Sequence, residues 1–209
     1  SIKYDATLPD SLYYNINVNA VFRMDPLLAG KAAPTVRILQ KWNRRGELHE
    51  IGAAHFNEFY LHLMGKKNRI DVDEVKLVQM IESLHYAHEK LLKNFGKIEV
   101  TLGEYQFLVR GDKTLPIRGL GDVLAAMYSR PYKEGKVKGV AGDSYIMLVR
   151  YPIKGLPIIE TVNSYGASNR PESPHYTDQM DMFVNQERKQ MTLDIDLVRN
   201  QAKRIYHPK

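Results

Sequence analysis

The chain has 209 residues, 44% hydrophobic and 26% charged, with a formal net charge of +6 and no cysteine. That composition supports a packed core and excludes wholesale disorder. The missing cysteine excludes disulfides, thiolate catalysis and cysteine-held zinc or iron–sulfur centres. Basic residues occur in scattered pairs (Arg44-Arg45, Lys66-Lys67, Arg188-Lys189, Lys203-Arg204) with acids between them. No long run of like charge marks a nucleic-acid partner, and no apolar run reaches membrane-spanning length.

Residues 1–30 read as an extended lead-in. Ile16, Val18 and Ala20 alternate with Asn15, Asn17 and Asn19 as in a short strand, and Asp25-Pro26 breaks it. Residues 31–97 read as a helical lobe. Pro34 suits a first turn, Val36, Leu39 and Trp42 give one apolar face, and Gly46 ends the segment. Leu48, Ile51, Phe59 and Leu63 predict a second helix stopped at Gly65. A third starts at Asp71 with Glu74 as its capping-box partner. Its stripe is Leu77, Ile81, Leu84, His88, Leu91 and Phe95, and Gly96 is the stop.

Residues 98–209 change in texture to a mixed α/β segment. Thr101 and Glu104 repeat the capping-box spacing before a short helix ending at Gly111, and Asp122 is placed to cap another from Val123 to Tyr128. Tyr145-Ile146-Met147-Leu148-Val149 is a continuous apolar run, which predicts a strand covered on both faces. Lys154-Gly155 makes a turn, and Leu156 to Val162 returns as its hairpin partner, with Pro157 near the start.

Several residues invite a chemical reading. Ser1 would be a nucleophile if its free α-amine served as base, although one serine in first position carries little information. His85 and His88, with Glu82 and Glu89 nearby, have a spacing that can place two ligands on one metal. His88 falls on the apolar stripe and His85 beside it, which favours one packed and one surface histidine. His55 and His62 read the same way. Gly119-Leu120-Gly121 lacks the further glycine and the Lys-Ser/Thr of a phosphate loop, and Asp71 with Asp73 marks a helix start. In Ser173-Pro174-His175-Tyr176-Thr177-Asp178-Gln179 the carboxylate of Asp178 can orient the His175 imidazole across one turn. With no nucleophile nearby in sequence, that pair reads as a structural clamp.

The order of these segments is more specific than any one of them. Gly142-Asp143-Ser144-Tyr145 leads into an apolar strand, then come Ser164-Tyr165-Gly166 and Ser173 to Gln179. This order closely resembles the C-terminal end of the penicillin acylase family, which includes acyl-homoserine-lactone acylases. Thr101-Leu102-Gly103-Glu104-Tyr105 and Leu115-Pro116-Ile117, ahead of Gly119 and Gly121, resemble the preceding segment, and the Leu39–Trp42 helix fits in character.

The resemblance implies an α+β fragment: a helical lobe plus the C-terminal strands and helices of an αββα N-terminal-nucleophile-hydrolase sandwich. It implies an amide-hydrolysing parent enzyme, periplasmic or extracellular, acting on an acylated small molecule. The catalytic serine, oxyanion groups and calcium ligands would lie upstream, because Ser1-Ile2-Lys3-Tyr4 departs from the family's serine–asparagine start. No catalytic, cofactor or metal residue is carried onto this chain. Gly142, Asp143, Ser144, Ser173, Pro174, His175, Asp178 and Gln179 are expected to be structural. The partners implied are the rest of the large chain and the small chain, with no nucleic acid and no membrane. The competing expectation is a non-catalytic interaction domain that docks a partner on exposed helical stripes.

Overall fold

Three helices, α1 (Pro26–Lys41), α2 (Ile51–Gly65) and α3 (Leu77–Phe95), carry most of the apolar residues of the first half. The computed structural model describes residues 2–9, 26–65 and 77–203. The chain divides into two compact units, Ser1–Gly142 and Asp143–Lys209. The strand expected around Ile16–Ala20, Ser1 itself, and the Asp71–Glu74 helix start with Asp73 lie outside the described residues.

In the first unit the helical stripes consume one another. Val36 and Leu39 of α1, Phe56 and Phe59 of α2, and Ile81, Leu84 and Leu91 of α3 belong to one buried cluster. The α3 stripe runs as its spacing predicts, and the Gly96 N–H bonds back to the Leu92 carbonyl at 2.9 Å to close the helix. The start of α1 differs from expectation. Pro26, not Pro34, opens it, and Pro34 sits inside the helix. The helix also stops at Lys41, short of Trp42 and Gly46. There Gly46 joins an extended pairing instead, its N–H donating to Ala6 O at 2.8 Å while Leu8 N–H donates to Arg44 O at 2.8 Å.

Gly52 shows how closely the lobe is packed. A Cβ there would sit 2.2 Å from Cγ of Trp42, so only glycine lets the indole lie flat on α2. The ring then meets Phe56 at 5.3 Å between centroids.

Beyond the lobe, α4 (Leu102–Tyr105) is a single turn with the full Thr101–Glu104 capping box. It gives way to β1 (Gln106–Arg110) instead of continuing to Gly111. A hairpin to β2 (Lys113–Pro116) follows, then β3 (Met127–Pro131) and β4 (Val137–Gly142), in the sheet order β2-β1-β4-β3. The helix expected over Val123–Tyr128 is absent. Val123, Ala125 and Met127 are buried while Leu124 and Tyr128 are exposed, a period of two that belongs to extended chain. Asp122 does not cap: its φ is 61° and its carboxylate accepts the Tyr128 hydroxyl at 2.6 Å.

The second unit is a three-stranded antiparallel sheet in the order β5-β6-β7, from β5 (Tyr145–Arg150), β6 (Ile158–Asn163) and β7 (Lys189–Met191). The expected hairpin forms, with Tyr145 opposite Asn163 and Arg150 opposite Ile158. Helix α5 (Met180–Val184) packs on β6, burying Met180 and Phe183, and α6 (Ile195–Gln201) follows β7. The expectation that β5 is covered on both faces is overturned. Ile146 is buried, but Tyr145, Met147 and Val149 on the other face are 51%, 49% and 36% exposed. The chain is therefore α+β, with three long helices first and then strands interspersed with short helices.

Candidate functional site

The motif residues of the second unit converge on the crossing of two loops. Ser144 O accepts the Ser164 N–H at 2.8 Å, which carries the β5–β6 ladder one step past Tyr145 and Asn163. The chain then runs through Tyr165 and Gly166 beneath the 173–179 segment. Tyr165 O accepts the Gln179 N–H at 2.9 Å, and Ser168 N–H donates to His175 O at 3.0 Å. Gly166 has no alternative here: a Cβ would lie 2.2 Å from His175 O and 2.6 Å from Asp178 Oδ1.

The upper loop is braced internally. His175 N–H donates to Ser173 Oγ at 3.2 Å, and Tyr176 N–H donates to Ser173 O at 3.1 Å. His175 Nδ1 meets Asp178 Oδ2 at 2.8 Å, with side chains 65% and 34% exposed. The side chain of Gln179 is buried and its Oε1 accepts the Asn163 N–H at 3.0 Å, while its buried Nε2 has no partner among the described residues.

Chemically this is an oriented imidazole without a nucleophile. The His175 ring is bonded to Asp178 and to no serine hydroxyl among the described residues. Exposed pairs of this kind contribute little to stability. The hydrogen bonds that fix the crossing run instead through backbone groups and buried Gln179. Pro174 sets the entry of that loop. Gly142 closes β4 at φ 127°, and Asp143 begins the second unit.

The other sequence candidates resolve separately. His55 is a core residue: Nε2 meets Ile98 O at 2.8 Å and Nδ1 meets Thr35 Oγ1 at 3.4 Å. Burial holds its pKa below the ordinary 6.5. His62 stacks on Tyr86 with centroids 3.9 Å apart and meets Ser83 Oγ at 3.0 Å. His85 and His88 are both partly buried on α3, each with a buried Nδ1 that has no partner among the described residues. No group of three or more histidine or acidic side chains among the described residues is placed to hold a metal ion.

Sequence reading missed a buried polar hub in the first unit. Glu58 on α2 accepts from Lys90 Nζ of α3 at 2.6 Å and from the Tyr105 hydroxyl of α4. Beside it, Asn57 donates to Gln106 Oε1 at 3.1 Å and to Ser129 Oγ at 2.9 Å. Gln106 Nε2 then donates to the carbonyls of Ile117 (3.1 Å) and Gly119 (2.9 Å). This hub joins the Thr101–Tyr105 and Leu115–Ile117 motifs. Burial together with the neighbouring carboxylate drives the Tyr105 phenol well above its ordinary range. The signal available in sequence was Asn57-Glu58 inside the run from Ala53 to Phe59, whose other members apart from His55 are apolar.

The motifs thus meet within each unit as compact structural joints. Comparison with known proteins bears on what they belong to. The family description Penicillin amidase matches residues 6–200. The chain belongs to the penicillin amidase family. A similar protein is the acyl-homoserine lactone acylase PvdQ of Pseudomonas savastanoi pv. phaseolicola (strain 1448A / Race 6). The two are 26% identical over 200 residues, covering 84% of this chain and 24% of that protein. The chain spans about a quarter of the length of this curated relative. Among the described residues, the clasp formed where the 164–168 and 173–179 segments cross fixes the backbone of the second unit, and the Glu58 hub does so in the first.

Proposed function

We propose that this sequence is the closing, structural part of an acylase-type amidohydrolase whose nucleophile lies outside these residues. The parent enzyme would cleave the amide bond of an acylated small molecule. A serine activated by its own α-amine would form and release an acyl-enzyme.

One observation carries the structural half of this reading: the open apolar face of β5. Tyr145, Met147 and Val149 share that face with exposed Met191 on β7, in register across β6 through Ile159, which is itself buried. Leu193, Ile195, Leu197 and Val198 continue the exposure beyond β7. Full burial of a large apolar side chain contributes roughly 1.5–3 kcal/mol, so a face of this kind calls for a covering layer. The Nε2 of buried Gln179, which has no acceptor among the described residues, supports the same reading, because a buried donor without an acceptor is costly.

The competing idea of a helical docking domain finds less support. Its stripes are used up inside the first unit, and the exposed Val78, Tyr86 and Leu92 are interspersed with buried Met80, Ala87 and Leu91.

The test compares residues 1–209 with a family-length protein containing them, using a chromogenic acyl-amide. Hydrolysis is expected from the longer protein and none from residues 1–209. Turnover by residues 1–209 that disappears in Ser1→Ala would overturn the placement of the nucleophile. An inactive longer protein would overturn the assigned activity.

A further inference from the structure

A second feature, unrelated to the clasp, lies on the four-stranded sheet, on the face turned away from buried Leu108 and Val137. A cavity of about 110 Å³ is lined there by Phe107, Thr114, Tyr132, Lys133, Glu134 and Lys136. Three ammonium groups converge on its two rings. Lys136 Nζ stands 5.5 Å from the Phe107 centroid, and Lys133 and Lys138 stand 5.7 and 5.6 Å from that of Tyr132. Glu134, 3.3 Å from Lys136, is the carboxylate on this rim. Lys133 and Lys138 have no acidic partner among the described residues.

The loop that carries these groups is held in place. Glu134 has φ 56° and ψ 37°, a left-handed backbone that a non-glycine residue adopts only under constraint. Gly135 follows at φ 74°, so close to α3 that a Cβ would lie 2.3 Å from Asn94 Cγ. Tyr132 N–H donates to Lys136 O at 2.8 Å, and Lys136 N–H donates to Lys133 O at 3.1 Å. Lys133 and Lys136 therefore project from a pinned turn and Lys138 from the start of β4, and the ring faces hold their ammonium ends.

We infer that this cavity binds a tetrahedral oxyanion of the phosphate-ester kind, presented by a larger molecule that stays outside. The volume argues for a headgroup, since pockets that enclose a whole small molecule run to roughly 300–1,000 Å³. Charge argues for a dianion. Three lysines against one carboxylate leave two positive charges, and a phosphate monoester carries about −1.5 to −2 at pH 7. Compact ammonium charges can approach a tetrahedral group from several sides, whereas a guanidinium fork is matched to planar bidentate pairing. The Thr114 hydroxyl adds a neutral donor.

The experiment titrates residues 1–209 with inorganic phosphate and with phenyl phosphate by calorimetry, and sediments the chain with vesicles of phosphatidic acid or phosphatidylcholine. Saturable one-to-one phosphate binding is expected. It should weaken roughly tenfold in Lys133→Gln or Lys138→Gln, as loss of one charge-assisted contact implies. It should vanish when Lys133, Lys136 and Lys138 are all changed to Gln, and weaken as salt rises. Changing the exposed Lys41, Lys93 and Lys154 to Gln removes equal charge elsewhere and should leave binding intact. Added affinity for phosphatidic acid vesicles would assign the source as a lipid headgroup. Binding of the soluble phosphates alone would assign a soluble ester. Absence of saturable phosphate binding, or equal weakening in both triple variants, overturns the inference. Thermal melts of the single variants check that the fold is retained.

Discussion

Leu39, Phe59, Leu84 and Leu91, from three different helices, are wholly enclosed by one another in the first unit. In the second, Tyr145, Met147 and Val149 line one face of a strand and keep a third to a half of their surface in contact with solvent. Both sets are apolar by composition, and both sequence patterns announce burial. The difference lies in where the covering layer comes from. Helical stripes on neighbouring segments find each other locally, whereas a sheet face needs a second layer that need not be close in sequence. A periodic pattern thus shows that a face is to be buried without showing against what.

That contrast can be broken by experiment, and the largest effect should come from the enclosed set. Leu84→Ala removes a fully buried side chain and should cost about 3–5 kcal/mol in urea unfolding. Val149→Ala should cost less than about 1 kcal/mol in the same chain. Equal costs would mean that the two faces are covered alike. Next in size is Gly52→Ala, where the new methyl meets the Trp42 ring at 2.2 Å. Overpacking of this kind costs about 1–3 kcal/mol, and a neutral result would show that the indole can move aside.

A smaller effect sharpens the comparison through pH. The Glu104 carboxyl is held down to about 2, chiefly by its hydrogen bond from Lys97 and then by the Thr101 N–H. A lowered acid pKa stabilises the folded state above the ordinary value of 4.5, and that contribution is lost as pH falls toward about 2. The melting temperature of the first unit should therefore drop across this window. Glu104→Gln should make the drop shallower, and an unchanged profile would remove Glu104 from the account. The smallest expected effect on stability is that of Met147→Lys combined with Val149→Lys. Melting should hardly shift, while self-association in sedimentation falls. A large loss of stability would show that this face is already packed within the chain.

Much of the first unit was legible because its signals are local. The α3 stripe, the Gly96 stop and the Thr101–Glu104 box each depend on residues within a turn or two of one another. Asp122 is well placed to cap a Val123–Tyr128 helix, but its carboxylate is taken up by the Tyr128 hydroxyl, and Val123, Ala125 and Met127 alternate inward on extended chain. The Glu58–Lys90–Tyr105 hub was invisible for a related reason: its members are far apart in sequence, and each alone resembles a surface residue. The clasp falls between these cases. The His175–Asp178 pairing was readable from spacing, but the demand for Gly166 follows only from the carbonyl that passes above it.

Trp42, lodged against Gly52 with its indole N–H bonded to Arg45 O at 3.0 Å, is the single tryptophan of the chain. Its emission is therefore a built-in optical reporter of the helical lobe, placed by the same steric fit that excludes a side chain at Gly52. A denaturation followed by tryptophan fluorescence will track the first unit alone. A parallel trace of backbone dichroism, which sees both units, should separate from it wherever the strand-rich unit melts earlier.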